Sequence, residues 1–374
     1  MEERFFPKIR SFLNEFKRQS YLNEDKESVN LDVIVDCSLG VNPFGCSSSI
    51  SDFSNDFLKN SAKAFSFYPA YPYFSLRQAI SRYWKEIIDV DVPEIRVGAG
   101  SMAILEMLCK CMIDPGSKTL GFVPQFPDFS ACVMSFGGIF NMFPLNAANG
   151  FELDVKAFCA EIDSEKKIVY IDNPNNPTGQ VFPLEAIARI ATRCRECGVL
   201  LIVDEAYGDY IEKSASAVSL FSEHENLCIL RSFSKGFGLA SLRVGYAFIH
   251  EPLAGCFDRV SYQFNVSAHG AVLAEQALLD EAFMLRSRKA VARIKRELIS
   301  SLTRLQAAPT HPEVPIFTIL AENGVSLFEI LRNHGVLSEA GEDYTNLGKH
   351  AVRMRVPKES EPLITILREI EQKL

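Results

Sequence analysis

Residues 227–243 read LCILRSFSKGFGLASLR. The first six, Leu227 to Ser232, make a short apolar run, and two serines, a lysine and an arginine crowd the turn that follows. Two earlier stretches have the same form: Lys167 to Asp172 (KIVYID) and Val199 to Asp204 (VLLIVD). Helix-patterned segments separate the three. Apolar runs of strand length, divided by amphipathic helices, predict a parallel sheet covered on both faces. In such sheets functional groups collect beyond the carboxyl ends of the strands. The unusual residues of this chain fall there, at 173–179, 204–207 and 232–243.

Working outward, the pattern changes after about Glu251. A long helical region is expected over 268–306, then prolines at 309, 312 and 315. A strand (316–320), a helix (326–334), a strand (352–356) and a final helix follow. The expected division is an arm at 1–36 packing with the small domain, a large domain at 37–254, and a small α/β domain at 255–374. The 374 residues are 47% apolar and 23% charged, ordinary for a globular protein able to bury a sizeable core. A net charge of −8 argues against a broad nucleic-acid surface. No stretch has the length and apolarity of a membrane span or a signal peptide. Ten cysteines without a targeting signal point to reduced thiols in the cytoplasm. Cys194 and Cys197 form C-x-x-C within a helical pattern (184–198), without the second pair a zinc site would need. They read as packing residues. No metal-ligand cluster stands out.

Four segments carry chemistry. In SFSKGFG, Lys235 lies just past a buried strand, where desolvation and nearby cations lower an amine pKa and make it a nucleophile. Ser232, Ser234 and Arg243 are suitable donors to a phosphate. Alone, the segment would equally suit a surface loop. In DEAY, Asp204 ends an apolar strand, where a carboxylate needs a partner. The ring cation of pyridoxal 5'-phosphate is one such partner, and Tyr207 can donate to that ring's phenolate oxygen; a helix-capping aspartate is the competing reading. In NPNNPTG (173–179), two prolines and a glycine fix an irregular turn that offers the amide of Asn176. In VGAGSM (97–102), Gly100, Ser101 and Met102 open a helix, where backbone N–H groups and the dipole favour an anion. Each signal is weak alone; together they supply an imine-forming lysine, a pyridinium partner, a phenolate partner and a phosphate cup.

The motifs NPNNPTG, VDEAYGDY and SFSKGFGLASLRVGYAF resemble those of fold-type-I pyridoxal-phosphate enzymes of the class I/II aminotransferase group. The chain is most similar to the histidinol-phosphate aminotransferase branch, from about Val35 onward. The resemblance implies a large domain with a mostly parallel mixed sheet between helices, plus a smaller C-terminal α/β domain. It implies that Lys235 is the Schiff-base lysine and proton shuttle, with Asp204 on the ring nitrogen and Tyr207 and Asn176 on the phenolate oxygen. Ser232, Ser234, Arg243 and the backbone at Ser101 and Met102 would hold the phosphate. Phe126 would stack on the ring, and Arg353 would hold the substrate's α-carboxylate. Tyr68 would reach the other subunit's cofactor, which implies a homodimer with shared sites. Departures accompany the match. Met102 stands where the family usually has an acid. Gly335-Val-Leu is followed by Ser338, without the second arginine that grips a substrate phosphate, and the N-terminal tyrosine motif is not evident. Histidinol phosphate is therefore not the expected substrate. Arg355 should share a strand face with Arg353, either shaping an altered pocket or being solvated or paired with a carboxylate.

Transamination of an amino acid or an amino-acid-derived amine is the favoured reading. A lyase, decarboxylase or cyclase on the same scaffold is the alternative, since protein geometry selects which Cα bond breaks. A regulator with an aminotransferase-like domain would need a DNA-binding domain, for which some thirty-five residues ahead of the sheet are too few.

Overall fold

A computed structural model describes residues 10–14, 16, 18, 33–60, 66–322 and 324–374; most of the expected 1–36 arm lies outside them. The large sheet contains β2 (Ile95–Gly98), β3 (Lys118–Val123), β4 (Ile139–Pro144), β5 (Lys166–Asp172), β6 (Leu200–Asp204), β7 (Leu227–Ser232) and β8 (Gly245–Phe248). Its order is β2-β8-β7-β6-β5-β3-β4. Strands β3 to β7 run parallel, whereas β8 is antiparallel to both neighbours. The sheet is thus mixed and mostly parallel.

Strand periodicity explains why these runs are apolar throughout. Ile168, Tyr170, Leu200, Ile202, Cys228 and Leu230 point to one face, against α3 (Ser101–Met112), α4 (Asp128–Ser135) and α7 (Leu253–Val260). Val169, Ile171, Leu201, Val203, Leu227 and Ile229 point to the other, into the main core. That face is covered in part by α6 (Leu184–Glu196), whose Ala186, Ile187, Ile190, Ala191 and Cys194 are buried at helical spacing. Helix α6 stops just before Cys197, and Gly198 follows at φ 70°. Cys194 packs in the core, and among the described residues no metal-ligating group is present.

The remaining elements are α1 (Ser48–Asn60), α2 (Phe74–Trp84), α5 (Val155–Ala160) and a second α/β unit. The long helical region expected over 268–306 comprises two helices, α8 (Ala268–Ala277) and α9 (Glu281–Ser301). Asp280 separates them: its carboxylate accepts the Phe283 N–H at 3.1 Å and caps the start of α9. Gln306 belongs to β9 (Gln306–Ala307), pairing with Leu320 of β10 (Ile316–Leu320). Next come α10 (Leu327–Asn333), β11 (Val336–Leu337), β12 (Glu339–Ala340), β13 (Ala351–Arg355) and α11 (Glu361–Glu371). The small sheet runs β12-β13-β10-β9, and β1 (Val35–Asp36) pairs in parallel with β11.

The two sheets meet at the NPNNPTG turn. Thr318 Oγ1 donates to the Pro177 carbonyl at 3.1 Å, and the His311 N–H to that of Gly179 at 2.9 Å. Buried Lys295 holds the partner segment in shape. Its ammonium faces Thr310 Oγ1 at 2.6 Å and the carbonyls of His311, Val314 and Ile316 at 2.8, 2.8 and 3.0 Å. Four oxygens stand in for lost water around a charge that would otherwise be costly to bury.

Candidate active site

The carboxyl ends of β5, β6 and β7 lie side by side, and register places Asp172 directly opposite Asp204. Both lie on the face that also carries Tyr170 and Ser232. With the loop after β3 they line a cavity of about 240 Å³ that also includes Ser101, Met102, Phe126, Asn176, Tyr207, Ser234, Lys235, Arg243 and Arg353. Eleven of the thirteen residues expected from sequence line one space, counting Lys235, Asp204, Tyr207, Ser101, Met102, Phe126, Asn176, Ser232, Ser234, Arg243 and Arg353. Gly100 stands behind the wall. Tyr68 does not line it.

Asp204 is buried, accepting from the Tyr170 hydroxyl at 3.0 Å and from the Ala206 N–H at 2.9 Å. Burial pushes its pKa up to about 6 against those hydrogen bonds. Tyr170 is fixed in turn by stacking on Phe129, centroids 4.2 Å apart. Asp172 accepts from the backbone N–H groups of Phe126 (3.1 Å) and Asn176 (2.9 Å) and from the Asn175 amide (2.9 Å). One carboxylate therefore ties together the loops that carry the aromatic and the amide. Burial raises it to about 7.

Tyr207 sits on a segment clamped from below. Its neighbours Glu205 and Asp209 both bind buried Arg231, Glu205 at 2.8 Å. Glu205 also accepts from Ser216 Oγ (2.5 Å) and the Ala217 N–H (2.7 Å). Breaking such a buried cluster costs about 3–5 kcal/mol, so the segment is rigid. The Tyr207 hydroxyl is buried without a hydrogen-bond partner among the described residues. Gly40 lies against it, where a Cβ would collide with the hydroxyl. An orphaned buried hydroxyl costs about 1–3 kcal/mol, which an acceptor in the cavity would recover. The Lys235 ammonium lies 5.5 Å from the Tyr207 ring centroid. Burial lowers its pKa to about 8, helped by Arg353 and Arg243 and opposed by Asp204. At neutral pH a useful fraction is therefore the nucleophilic amine. Asn42 steadies the lysine's turn, its Nδ2 donating to the Gly236 carbonyl at 2.7 Å.

The opposite wall is built for an anion. Helix α3 starts at Ser101, after Gly100 at φ 83°. Only glycine suits that conformation, and a Cβ there would strike the Arg243 guanidinium at 2.5 Å. Arg243 itself adopts φ 53° and donates to Ser234 Oγ at 3.3 Å and the Ala240 carbonyl at 2.9 Å. Ser232, Ser234, Arg243 and the start of α3 thus converge on one corner.

The far end belongs to the small sheet. Arg353 of β13 is buried and reaches into the cavity, donating to the Ser38 carbonyl. Across the antiparallel register stands Glu339, also buried, with its carboxylate 3.6 Å from the Arg353 guanidinium. Arg355 faces Asp36 at 3.9 Å and donates to the carbonyls of Asp36 and Val356. Ser338 is buried, its hydroxyl without a partner among the described residues. Tyr68 is 81% exposed and stacks on Phe264 at 4.8 Å, outside the cavity of its own chain.

Sequence reading missed Tyr170, Asp172 and Glu339. For the first two a signal existed. In KIVYID a tyrosine and an aspartate at alternate positions must share a face with the strand-end aspartate of the next strand. Glu339 gave no such signal, because its role follows from pairing with a strand fourteen residues on.

The cavity combines an anion corner, the Phe126 ring, the Asp204 carboxylate, an orphan hydroxyl donor and a lowered-pKa amine. Pyridoxal phosphate carries a complementary group for each, so the residues present fit it. Comparison with known proteins points the same way. The family profile described as aminotransferase class I and II matches residues 34–369. Histidinol-phosphate aminotransferase 2 of Oceanobacillus iheyensis is 28% identical over 88% of each chain. Histidinol-phosphate aminotransferase 1 of Nitrosococcus oceani is 31% identical over 86% of this chain and 84% of its own. In fold, the chain is similar to the histidinol-phosphate aminotransferase of Sinorhizobium meliloti solved with pyridoxal-5'-phosphate, with TM-score 0.82, 20% identity and 99% of each chain covered.

Proposed function

The chain belongs to the class I and II aminotransferases, an enzyme family dependent on pyridoxal 5'-phosphate, and we propose that it moves the amino group of a carboxylate-bearing amino acid to an oxo acid. The observation that carries this reading is the convergence of Lys235, Asp204, Tyr207, Arg243 and Arg353 on one cavity. When bound, the cofactor supplies a carbonyl for the substrate amine and a ring that draws off negative charge from Cα.

The chain's own residues do the rest. Ser232, Ser234, Arg243 and the amides of Ser101 and Met102 anchor the phosphate. Asp204, oriented by Tyr170, holds a proton on the ring nitrogen. Tyr207 and Asn176 donate to the phenolate oxygen, and Phe126 stacks on the ring face. Arg353 fixes the substrate carboxylate, which orients the Cα–H bond. The Lys235 amine, when free of the cofactor, would take the proton from the substrate Cα and return it to the carbon on the far side of the substrate nitrogen. Two chains share the work: Tyr68, Tyr71 and Phe264 form an exposed aromatic cluster, centroids 4.8 and 5.7 Å apart, suited to a second copy. The division into units at 37–254 and 255–374 is a proposal, with α7 (Leu253–Val260), which spans that boundary, packed on the large sheet, and the protein works in the cytoplasm.

Relatives named for histidinol phosphate act on a phosphate ester, and this chain acts on a different substrate. Its substrate end has Ser338 and Glu339 after Gly335-Val-Leu, in place of an added arginine. The test is incubation of holoenzyme with a panel of amino acids and oxo acids, with products identified by mass spectrometry. A new oxo acid paired with a new amino acid is expected. Carbon dioxide or an eliminated or cyclised product instead would overturn transamination in favour of a lyase or cyclase.

A further inference from the structure

The NPNNPTG turn is gripped from two sides, and the outer grip centres on a lysine that does not line the cavity. On the inner side Asp172 accepts from the Asn176 N–H and the Asn175 amide, both at 2.9 Å. On the outer side Pro177, the next residue, offers its carbonyl to Thr318 Oγ1 at 3.1 Å, and the Gly179 carbonyl accepts the His311 N–H at 2.9 Å. Gly179 adopts φ 73°, and a Cβ there would collide with Thr310 Oγ1 and the Ile316 carbonyl. Those two oxygens, with the carbonyls of His311 and Val314, surround the Lys295 ammonium at 2.6–3.0 Å. Lys295 is 1% exposed, and these four partners are neutral. A buried charge gains little stability in such a setting, and an apolar side chain of similar volume would fill the space as well. What the charge adds is direction. It turns three backbone carbonyls of residues 311–316 inward and so shapes the surface on which the turn rests.

We infer that Lys295 is a positioning residue for the cofactor, holding Asn176 at the phenolate oxygen through the 310–316 segment and the turn. The inference rests on the placement of Asn176 in the reading above. A donor at the phenolate oxygen stabilises the anion and lowers the proton affinity of the bound cofactor. Loss or misplacement of that donor raises the pH at which the cofactor's visible absorption titrates.

The test is a spectrophotometric pH titration of holoenzyme without substrate, which needs no turnover. Asn176→Ala should raise the midpoint by roughly one to two pH units, the scale of one hydrogen bond to a charged group. Lys295→Met should raise it by at least about half a unit, and should add nothing in the Asn176→Ala background. If Lys295→Met gives no folded holoenzyme, Thr310→Val, which removes one of the four oxygens, decides instead, with a rise of at least about a quarter of a unit expected. An unmoved midpoint in the deciding variant overturns the inference, whatever happens to thermal stability, since a purely scaffolding lysine would change stability alone. A shift that persists in full without Asn176 overturns it too. Should Asn176→Ala itself leave the midpoint unmoved, the placement of Asn176 on the phenolate oxygen is what fails, and the inference falls with it.

Discussion

The two ends of the cavity are built on different principles. The cofactor end draws its donors from turns that each follow a strand of one sheet. It contains groups held out of balance: an orphan tyrosine hydroxyl, two acids raised to about 6 and 7, and an amine lowered to about 8. The substrate end is assembled across distant segments. Arg353 binds the carbonyl of Ser38, 315 positions away, and its charge is met by Glu339. A site for one fixed ligand can store unsatisfied groups that the ligand completes. The substrate end instead sets a buried arginine beside a buried carboxylate, with the Ser338 hydroxyl next to that carboxylate left without a partner among the described residues.

That contrast can be broken in order of effect. Lys235→Ala should remove the visible absorption of the bound cofactor and lower turnover by roughly a thousandfold or more. A variant that keeps both would show that the amine is elsewhere. Asp204→Asn should lower kcat by roughly a hundred- to a thousandfold, the scale of losing one preorganised electrostatic group, with KM for the amino donor changed far less. Arg353→Lys acts at the other end. It should raise KM by roughly ten- to a hundredfold with kcat nearly preserved, since a point charge replaces a planar fork.

The stored imbalance also has a pH signature. Asp204 and Asp172 have native pKa values above the unfolded range, so their contribution is complete below about pH 4 and is lost as pH rises through about 6 and about 7. Denaturant titrations of cofactor-free protein at pH 4 and pH 8 should show wild type losing on the order of 2 kcal/mol more than Asp204→Asn across that interval. Equal losses would mean that the carboxylate is not held at a cost. Phe126→Ala should weaken cofactor affinity by about tenfold or less, by loss of stacking, without altering which amino acid is preferred. Equilibrium dialysis and the amino-acid panel check the two halves of that statement.

The same contrast explains what could be read in advance. The apolar runs at 167–172, 199–204 and 227–232 and the turns after them are contiguous, so alternation and strand-end chemistry place Lys235, Asp204 and Asn176 together. Asp172 was equally visible as a strand-end acid but does its work on backbone N–H groups that no motif reveals. Glu339 acquires its meaning only from the register of β12 on β13. The break between α8 and α9 turns on Asp280, whose capping bond a long helical pattern conceals.

The claim beneath all of this is that Lys235 is the residue that holds the cofactor. Borohydride reduction of purified holoenzyme fixes the cofactor to its lysine, and peptide mass mapping then locates it. The account predicts one modified peptide, carrying the added mass on Lys235. Modification at another lysine, or none after saturation with pyridoxal phosphate, would contradict it.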